Sequence, residues 1–434
     1  MTRRVLLAFT SALLAACGSA APPSNEAEPS ERTAYLTDAS ARRSELEASL
    51  VNPSNGYSTL RLEHYATGAD GDWERLAEWN PAVAPIGSAE LGVAAAATLA
   101  DDASALALPA DPVHATDGEL LALGKAAFER YPVQLAPYFA VALASADAAG
   151  SYGLWLDDAR GVGGLVRVQM ADGSTSLAVT CSTCHASPGA SGVEDGLPNA
   201  SLDLGAALIA SGTGLGGASV DAVKAWGPGR LDVTTATGLE PVRISDLRPS
   251  RFLTYLQQDA TLATRDVTTL AIRIETLAIT SSGQVLRPPR VVAWALALYL
   301  ETLADALPAE SSARTASPQG AELFDAQCSS CHAAPGLTGP PVPLAVVGTD
   351  PTLGLSTDRG TGTYRVPSLH GVGTRGPLLH DASVASVDAL FDPARPTPAF
   401  SGRLHGSGAV AGHPFGLDFT ADERAALLAY LHAL

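Results

Sequence analysis

The chain has 434 residues, a formal net charge of −18 and five cysteines. Its length is enough for two or three domains, each with a core of its own. The acidic charge excludes nucleic acid as a partner, because that affinity comes from basic side chains that neutralise phosphates. The same charge could steer basic redox partners or simply keep the protein soluble, and it does not choose between these roles.

The first 16 residues have the pattern of a signal peptide. Arg3 and Arg4 give a basic start, and the apolar run over residues 5–14 is too short to span a bilayer as a stable helix. The sequence Leu-Ala-Ala-Cys at residues 14–17 resembles a bacterial lipoprotein lipobox. That resemblance implies cleavage before Cys17 and lipidation of Cys17; an ordinary signal peptide is the alternative.

Residues 17–32 are rich in Pro, Ser, Ala and Glu, which predicts a flexible tether. Gly18 and Ser19 follow the cysteine without the aspartate that retains many lipoproteins at the inner membrane. We therefore expect a chain in the bacterial cell envelope that is held to the membrane by its lipid and faces the periplasm. The outer membrane is favoured over the inner.

Residues 33–116 form an N-terminal extension in which no motif carries chemistry. An amphipathic helix is expected over residues 41–50, and a turn cluster follows at residues 52–56. Trp73 and Trp79 are expected to pack against the body of the protein.

The motif Cys-x-x-Cys-His, which is the attachment signature of a c-type haem, occurs twice. Its residues are Cys181, Cys184, His185, Cys328, Cys331 and His332. On a short helix, positions i, i+3 and i+4 share one face, so two thiols can bond to the haem while the histidine ligates its iron. Redox dithiols or a four-cysteine zinc site would not explain the histidine that follows the second cysteine in both copies. The sequence therefore predicts two covalently attached haems, with His185 and His332 as iron ligands.

Matching helices around the two motifs indicate an internal repeat. Gly124 and Phe128 are four residues apart on an apolar helical face, and so are Gly320 and Phe324. A glycine lets another helix cross closely, and an aromatic side chain one turn later fills the crossing. Two partner helices with a Tyr-Leu pair are expected over residues 290–303 and 420–434.

The repeats resemble class I cytochrome c domains. We therefore expect a mainly α-helical fold with two such domains in tandem, at residues 117–305 and 318–434, joined by an Ala-, Ser-, Pro- and Glu-rich linker at residues 306–317. The first domain carries an insertion ahead of its motif. There, residues 165–170 and 177–180 alternate in polarity around an Asp-Gly turn, which predicts a β-hairpin.

The second repeat resembles a more specific group. Its segments Gly-Thr-Gly-Thr-Tyr-Arg-Val-Pro-Ser-Leu (360–369) and Gly-Pro-Leu-Leu-His-Asp-Ala-Ser-Val (376–384) are similar to the C-terminal haem region of bacterial di-haem cytochrome c peroxidases. They are even more similar to rubber-oxygenase-like di-haem proteins, although Ala382 replaces the usual glycine. Residues 412–416, Gly-His-Pro-Phe-Gly, also match that wider group. The resemblance covers roughly the last third of the chain and implies a haem-redox protein without indicating a substrate.

The sixth ligand of each iron decides what the haem can do. Two strong axial ligands make an electron carrier, whereas an open position permits peroxide or oxygen chemistry. Class I domains usually take a distal methionine, but the chain contains only Met1 and Met170. We expect His413, seven residues ahead of the last helix, as the distal ligand of the second haem. His380 is the second choice, either as a ligand or as a hydrogen-bond donor in the pocket.

The first haem lacks an obvious sixth ligand. No histidine and no methionine lies between His185 and the linker. The remaining candidates are better explained by packing or by surface positions, and they are His64, His114, Met170, Lys224 and Tyr255. We therefore expect the first iron to be five-coordinate or weakly ligated. Contacts to haem propionates are expected among Arg230, Arg243, Arg248 and Arg251, because arginine pairs with carboxylates through two hydrogen bonds.

Three functions fit this sequence. The leading one is a membrane-tethered di-haem cytochrome c that carries electrons between redox partner proteins. The second is a peroxidase- or oxygenase-like oxidoreductase in which the second haem feeds an open first haem. The third is a sensor that binds a small gas at the first haem.

Overall fold

The computed structural model describes residues 29–68, 71–93, 99, 103–213, 215, 217–232 and 240–434. The expected signal peptide at residues 1–16 lies outside the described residues, as do Cys17 and most of the expected tether. Below, residues 117–305 are called the first unit and residues 318–434 the second unit.

Helices dominate the described residues. The α-helices are α1 (Pro29–Thr37), α2 (Ala39–Ser49), α3 (Gly56–His64), α4 (Asp117–Arg130), α5 (Ala146–Ser151), α6 (Cys181–His185), α7 (Leu204–Ser211), α8 (Val220–Lys224), α9 (Val267–Ser281), α10 (Arg290–Thr302), α11 (Glu310–Ala316), α12 (Pro318–Gln327), α13 (Leu344–Val347), α14 (Val387–Leu390) and α15 (Ala421–Ala433). Short 3-10 helices are Trp73–Arg75, Ser88–Glu90, Pro137–Ala144, Ser250–Phe252, Leu303–Ala306, Leu353–Leu355 and Val372–Thr374.

The strands are short and form small sheets. They are β1 (Ala77–Glu78), β2 (Val83–Pro85), β3 (Gln134–Leu135), β4 (Leu156–Asp157), β5 (Gly161–Val162), β6 (Leu165–Gln169), β7 (Thr175–Val179), β8 (Ala186–Gly189), β9 (Gly192–Asp195), β10 (Arg230–Asp232), β11 (Pro241–Arg243), β12 (Tyr255–Leu256), β13 (Leu262–Ala263), β14 (Leu286–Arg287), β15 (Val342–Pro343) and β16 (Thr363–Tyr364). One sheet has four strands in the order β2-β6-β7-β3, and the other described pairs are two-stranded.

Helices α4 and α10 cross at Gly124, as its spacing predicts. A Cβ atom on Gly124 would lie 2.1 Å from the Ala295 carbonyl oxygen and 2.7 Å from the Cβ of Tyr299. One turn later, the rings of Phe128 and Tyr299 meet edge to face, with centroids 5.7 Å apart. The glycine therefore sets how closely the two helices approach, and the aromatic pair fills the space beside it.

Helices α12 and α15 repeat this crossing. A Cβ atom on Gly320 would lie 2.1 Å from the Ala426 carbonyl oxygen and 2.8 Å from the Cβ of Tyr430. The ring centroids of Phe324 and Tyr430 are 5.2 Å apart. The predicted pair of helix crossings is confirmed, whereas the division into two cytochrome c-like domains remains a prediction.

The predicted hairpin is confirmed as β6 and β7, which pair antiparallel from Leu165 opposite Val179 to Gln169 opposite Thr175. The sequence does not indicate its two partners: β2 adds to β6 from the N-terminal extension, and β3 adds to β7. Met170 packs beside this sheet against the small cluster of Val83, Val166, Val168 and Ala178.

The N-terminal extension is an integral part of the first unit. The predicted helix over residues 41–50 is confirmed as α2. Tyr35 stacks on Trp294 of α10 with ring centroids 5.5 Å apart. The hydroxyls of Tyr35 and Tyr65 donate to the fully buried Glu275 of α9, at 2.9 and 2.7 Å. Trp73 is buried in the same core, so its predicted packing is also confirmed.

The described end of the expected tether and the expected linker both contain helix. Helix α1 begins at Pro29, in the described end of the expected tether. Proline fits there because a backbone N–H in the first turn has no partner within the helix. The expected linker contains α11, whose Ala313 is buried and whose Arg314 pairs with Glu310 and Asp325 at 2.7 and 2.8 Å. Alanine and glutamate favour helix. The buried side chain of Ala313 joins this segment to the core of the second unit.

Within the described residues, the stretch Arg290–Ala316 is long and apolar enough to cross a membrane by length and composition. Its main helix, α10, packs between α4 and α9 and buries nine side chains. We therefore treat α10 as a core helix.

Candidate haem sites

The first motif is held by the end of the hairpin that precedes it. Cys181–His185 form the short helix α6, as predicted. The hydroxyls of Thr180 and Thr183 both donate to the Gly164 carbonyl, at 2.9 and 3.0 Å. Gly164 has a φ of +64°, and a Cβ there would lie 2.2 Å from Ser182 Oγ. Glycine at this position therefore lets the hairpin lie directly against the motif.

The ring of His185 is oriented by a residue far away in the chain. Its Nδ1 lies 2.9 Å from the Ser245 carbonyl oxygen and donates to it. Histidines that ligate metals commonly donate their other ring nitrogen in this way, which fixes the ring and leaves Nε2 for the metal. Burial lowers the pKa of His185, so the ring is held neutral, as a ligand to iron must be.

The second motif continues directly from α12. It forms a single helical turn in which the N–H of His332 donates to the Cys328 carbonyl at 2.9 Å. Nδ1 of His332 donates to the Leu337 carbonyl oxygen at 3.1 Å, so the same arrangement recurs with a local acceptor. Burial, and after it the nearby Arg375, lowers the pKa of His332 to about 4.

The motif thiols are shielded rather than activated. Burial raises the pKa of Cys181 and of Cys184 to about 12 and that of Cys328 to about 11. Reactive Cys-x-x-Cys pairs of thiol oxidoreductases have a lowered pKa instead. Together with the orientation of both histidines, this fits covalent haem attachment better than a redox dithiol.

His413 lies near His332. Burial, and then the charge of His332, lowers the pKa of His413 to about 4. Its Nδ1 is shielded from solvent and has no hydrogen-bond partner among the described residues. The backbone is held by Arg395, whose guanidinium donates to the His413 carbonyl at 2.7 Å. One ring nitrogen in each of His370, His380 and His405 is likewise buried without a partner among the described residues, so this feature does not single out His413. The role of His413 as distal ligand stays a prediction.

His380 has a different environment. Its ring stacks on Tyr364 with centroids 4.3 Å apart, and Nε2 lies 3.2 Å from the Tyr364 hydroxyl. Its carbonyl accepts from the N–H of Arg243 in the first unit at 2.9 Å. Of its two predicted roles, a hydrogen-bonding role therefore fits these contacts better than a bond to iron.

Three of the five candidates for the first iron's sixth ligand, His64, His114 and Met170, have contacts elsewhere. His64 hydrogen-bonds Asp72 and stacks on Trp73, and His114 is exposed beside Asp111. Lys224 is exposed at the end of α8, and Met170 packs beside the hairpin sheet. The segments outside the described residues after Cys17 contain no His, Met, Lys or Tyr. These contacts fit the expectation that the first iron has an open or weakly held position.

All four arginines expected at haem propionates have protein partners, and Arg243 donates to the Pro377 carbonyl at 3.4 Å. Arg230 donates to the carbonyls of Trp226, Ala225 and Asp381. Arg248 pairs with Asp246 and Arg251 with Asp305, both at 2.7 Å. Only Arg243 keeps a buried Nε without a partner among the described residues.

Two further arginines, Arg365 and Arg375, were not expected at the site. Each has a buried Nε without a partner within the described parts of the chain. Arg375 also lines a cavity of about 520 Å³ that reaches Trp155 and Asn199 of the first unit. Arg365 lies in the Tyr-Arg-Val-Pro-Ser-Leu segment, but the sequence alone does not show which side chains this segment meets.

Comparison with known proteins adds little to this picture. No protein-family model and no curated protein matches the sequence. One solved structure, the crystal structure of a MauG-like protein associated with microbial copper homeostasis, is similar at a TM-score of 0.34 and 19% identity, over 48% of this chain and 78% of that one. At that score the likeness does not establish a shared fold.

Proposed function

We propose that this chain is a di-haem c-type oxidoreductase in which a six-coordinate second haem delivers electrons to an open first haem. The observation that carries the proposal is the asymmetry between the two motif histidines. The charge of His332 lowers the pKa of His413, whose Nδ1 is shielded from solvent, whereas His64, His114 and Met170, three of the candidates for the first iron, have partners elsewhere. Two strong ligands suit electron transfer, and an open position suits substrate chemistry.

The reaction class that fits this arrangement is peroxidase-like. When bound, a haem with a free position would supply the chemistry that reduces hydrogen peroxide. Each molecule of peroxide takes up two electrons and two protons and gives two molecules of water. The electrons would come from a reduced partner protein through the second haem. The protein's own residues hold the proximal rings in place, through the Ser245 and Leu337 carbonyls, and bury them away from water.

We also propose that the chain works at the periplasmic side of the cell envelope, anchored through lipid on Cys17. The support is the lipobox-like sequence and the requirement that c-type haem is attached outside the cytoplasm. The net charge of −18 favours basic redox partners at low salt.

The test is to produce the full chain in a host that attaches c-type haem. We expect two haems per chain, one of which binds carbon monoxide, and peroxide consumption that depends on a reduced electron donor. Two low-spin haems that bind no added ligand would overturn the proposal in favour of the simple electron carrier. One ligand-binding haem without peroxide turnover would overturn it in favour of the gas sensor.

A further inference from the structure

The two units meet along a seam that contains backbone hydrogen bonds. The N–H of Arg243 donates to the His380 carbonyl, and the N–H of Arg365 donates to the Gln258 carbonyl, both at 2.9 Å. Arg375 lies on the second unit's side of this seam, where it lines the cavity shared with the first unit. These three residues, Arg243, Arg365 and Arg375, are called the seam arginines below.

The seam arginines, of which Arg243 and Arg375 are buried and Arg365 is half-buried, form no salt bridge with any described carboxylate. Arg243 and Arg375 are 7% and 6% exposed. Their guanidinium groups donate only to backbone carbonyls, those of Pro377, His370 and Ser368. The Arg365 guanidinium makes no hydrogen bond with any described residue, and none of the three takes part in a salt bridge within the described ranges.

The acidic groups that act on the seam arginines are Asp246, for Arg243 and Arg375, and Asp259, for Arg365, and each has another partner. Asp259 accepts from the hydroxyl of Thr261 at 2.6 Å. Asp246 accepts from Arg248 through both of its oxygens, at 3.1 and 2.7 Å. Burial without a carboxylate partner lowers the pKa of each seam arginine to about 10. An unpaired buried cation costs several kcal/mol, so such a cluster implies an anion that occupies the same space in the working protein.

Hydrogen bonds connect the seam arginines to both motif histidines. From the first unit, Nδ1 of His185 donates to the Ser245 carbonyl, Gln258 Nε2 donates to Ser245 Oγ at 2.9 Å, and the Gln258 carbonyl accepts from Arg365.

On the second unit's side, Leu337 accepts from the ring of His332 and from the N–H of Leu369 at 3.2 Å. Arg375 binds the carbonyls on either side of Leu369, those of Ser368 and His370. The seam arginines are therefore connected to the residues that orient both motif histidines.

We propose that the seam arginines bind propionate groups of both haems and so place one shared positive charge cluster beside two irons. Arginine suits this task because its planar fork binds carboxylates through two hydrogen bonds. A positive charge near an iron favours the reduced state, so the cluster raises the reduction potential of both haems together. The proposal rests on the proposed function only in requiring that both haems are attached.

The first test is Arg365→Gln in the full-length, haem-loaded protein. This substitution removes charge without breaking any described side-chain hydrogen bond, so the fold should survive. We expect the ratio of reduced to oxidised haem at a fixed potential to fall at least threefold for both haems. This corresponds to a decrease of about 28 mV in each reduction potential, because a tenfold change in the ratio equals 59 mV. Arg375→Gln should produce the same shared shift, and Arg365→Lys should restore most of the potential.

Arg167→Gln is the matched control. Arg167 is buried like Arg243 and Arg375, at 3% exposure, but it pairs with Glu90 at 2.9 Å on the hairpin sheet away from the seam. We expect both potentials of this variant to match those of the wild type.

The outcomes separate the two proposals. A chain without covalent haem, seen by haem staining of a denaturing gel, would overturn the proposed function. If both haems are attached but Arg365→Gln and Arg375→Gln shift neither potential, or shift only one, the shared cluster is wrong while the di-haem function stands.

Discussion

The two units share one helix crossing and differ in what surrounds it. The crossings at Gly124 and Gly320 are equivalent to within 0.1 Å in the contacts that a Cβ would make. Around them, α10 buries nine of its residues under α1, α4 and α9, whereas α15 buries three. In the second unit, the short helices α11 and α14 pack on α15, so its crossing has a smaller surrounding layer than that of the first unit.

The carbonyl groups that accept from the rings of His185 and His332 also differ between the units: one is distant in sequence and the other is close. The second unit uses Leu337, five residues after His332, whereas the first uses Ser245, sixty residues after His185. Ser245 is also bonded to Gln258 at the seam. The orientation of the first ring thus depends on long-range packing and on contact with the second unit. A reactive centre benefits from this arrangement, because the surrounding fold excludes water and fixes the ring.

The substitution expected to reduce the difference between the two units most is His413→Ala. Without its expected sixth ligand, the second haem should become five-coordinate like the first. We expect carbon monoxide binding to rise from one to two molecules per chain and the low-spin signal in electron paramagnetic resonance to disappear. The control is His432→Ala, which removes a surface ion pair with Asp388. Unchanged spectra in His413→Ala would mean that another residue ligates the second iron.

The next largest effect should come from Glu275→Gln, which tests the layer present only on the first unit. Glu275 binds Tyr35 and Tyr65, and it forms an ion pair with Arg290 at 3.1 Å that lacks hydrogen-bond alignment. Arg290 would still form an ion pair with Glu74, at 2.8 Å. We therefore expect the unfolding free energy to fall by roughly 3 kcal/mol, which is at the low end for a broken buried ion pair.

The control for this experiment is Glu47→Gln, which removes an exposed i,i+4 pair with Arg43 in α2. Such pairs contribute about 0.3–0.5 kcal/mol. If chemical denaturation finds equal losses for the two substitutions, the N-terminal helices are not held to the first unit through Glu275.

The shared crossing itself is tested by Gly124→Ala and Gly320→Ala. Each added methyl group would overlap a backbone carbonyl of the partner helix, and overpacking of this kind costs about 1–3 kcal/mol. We expect similar losses of thermal stability in both variants. Gly118→Ala in α4 is the control, because nothing lies within 4 Å of its Cβ position. A loss in Gly118→Ala as large as in Gly124→Ala would exclude the crossing as the cause.

Much of this crossing is readable from the sequence, since Gly124 and Phe128 lie on one helix and their spacing is a local property. The Cys-x-x-Cys-His turns and the hairpin are local in the same sense. The seam arginines are not, because Arg243 and Arg365 become neighbours only when two distant segments pair. The composition of residues 306–317 was also misleading, since alanine-rich segments suit linkers and helices equally and only burial of Ala313 decides.

The last expected effect depends on pH and concerns the positions two residues after the crossing tyrosines, Glu301 in α10 and His432 in α15. Burial, with Asp266 and Glu31 nearby, raises the pKa of Glu301 to about 7. The folded protein therefore holds a proton that the unfolded chain releases near pH 4.3, so stability is lost as the pH rises from about 4.5 through 7. Glu301→Gln should raise the thermal midpoint at pH 8 and change it little at pH 4, whereas His432→Gln should give no rise at pH 8. If Glu301→Gln and the wild type have equal thermal midpoints at pH 8, ionised Glu301 does not destabilise the first unit. Position 301 would then behave like the exposed position 432 of the second unit.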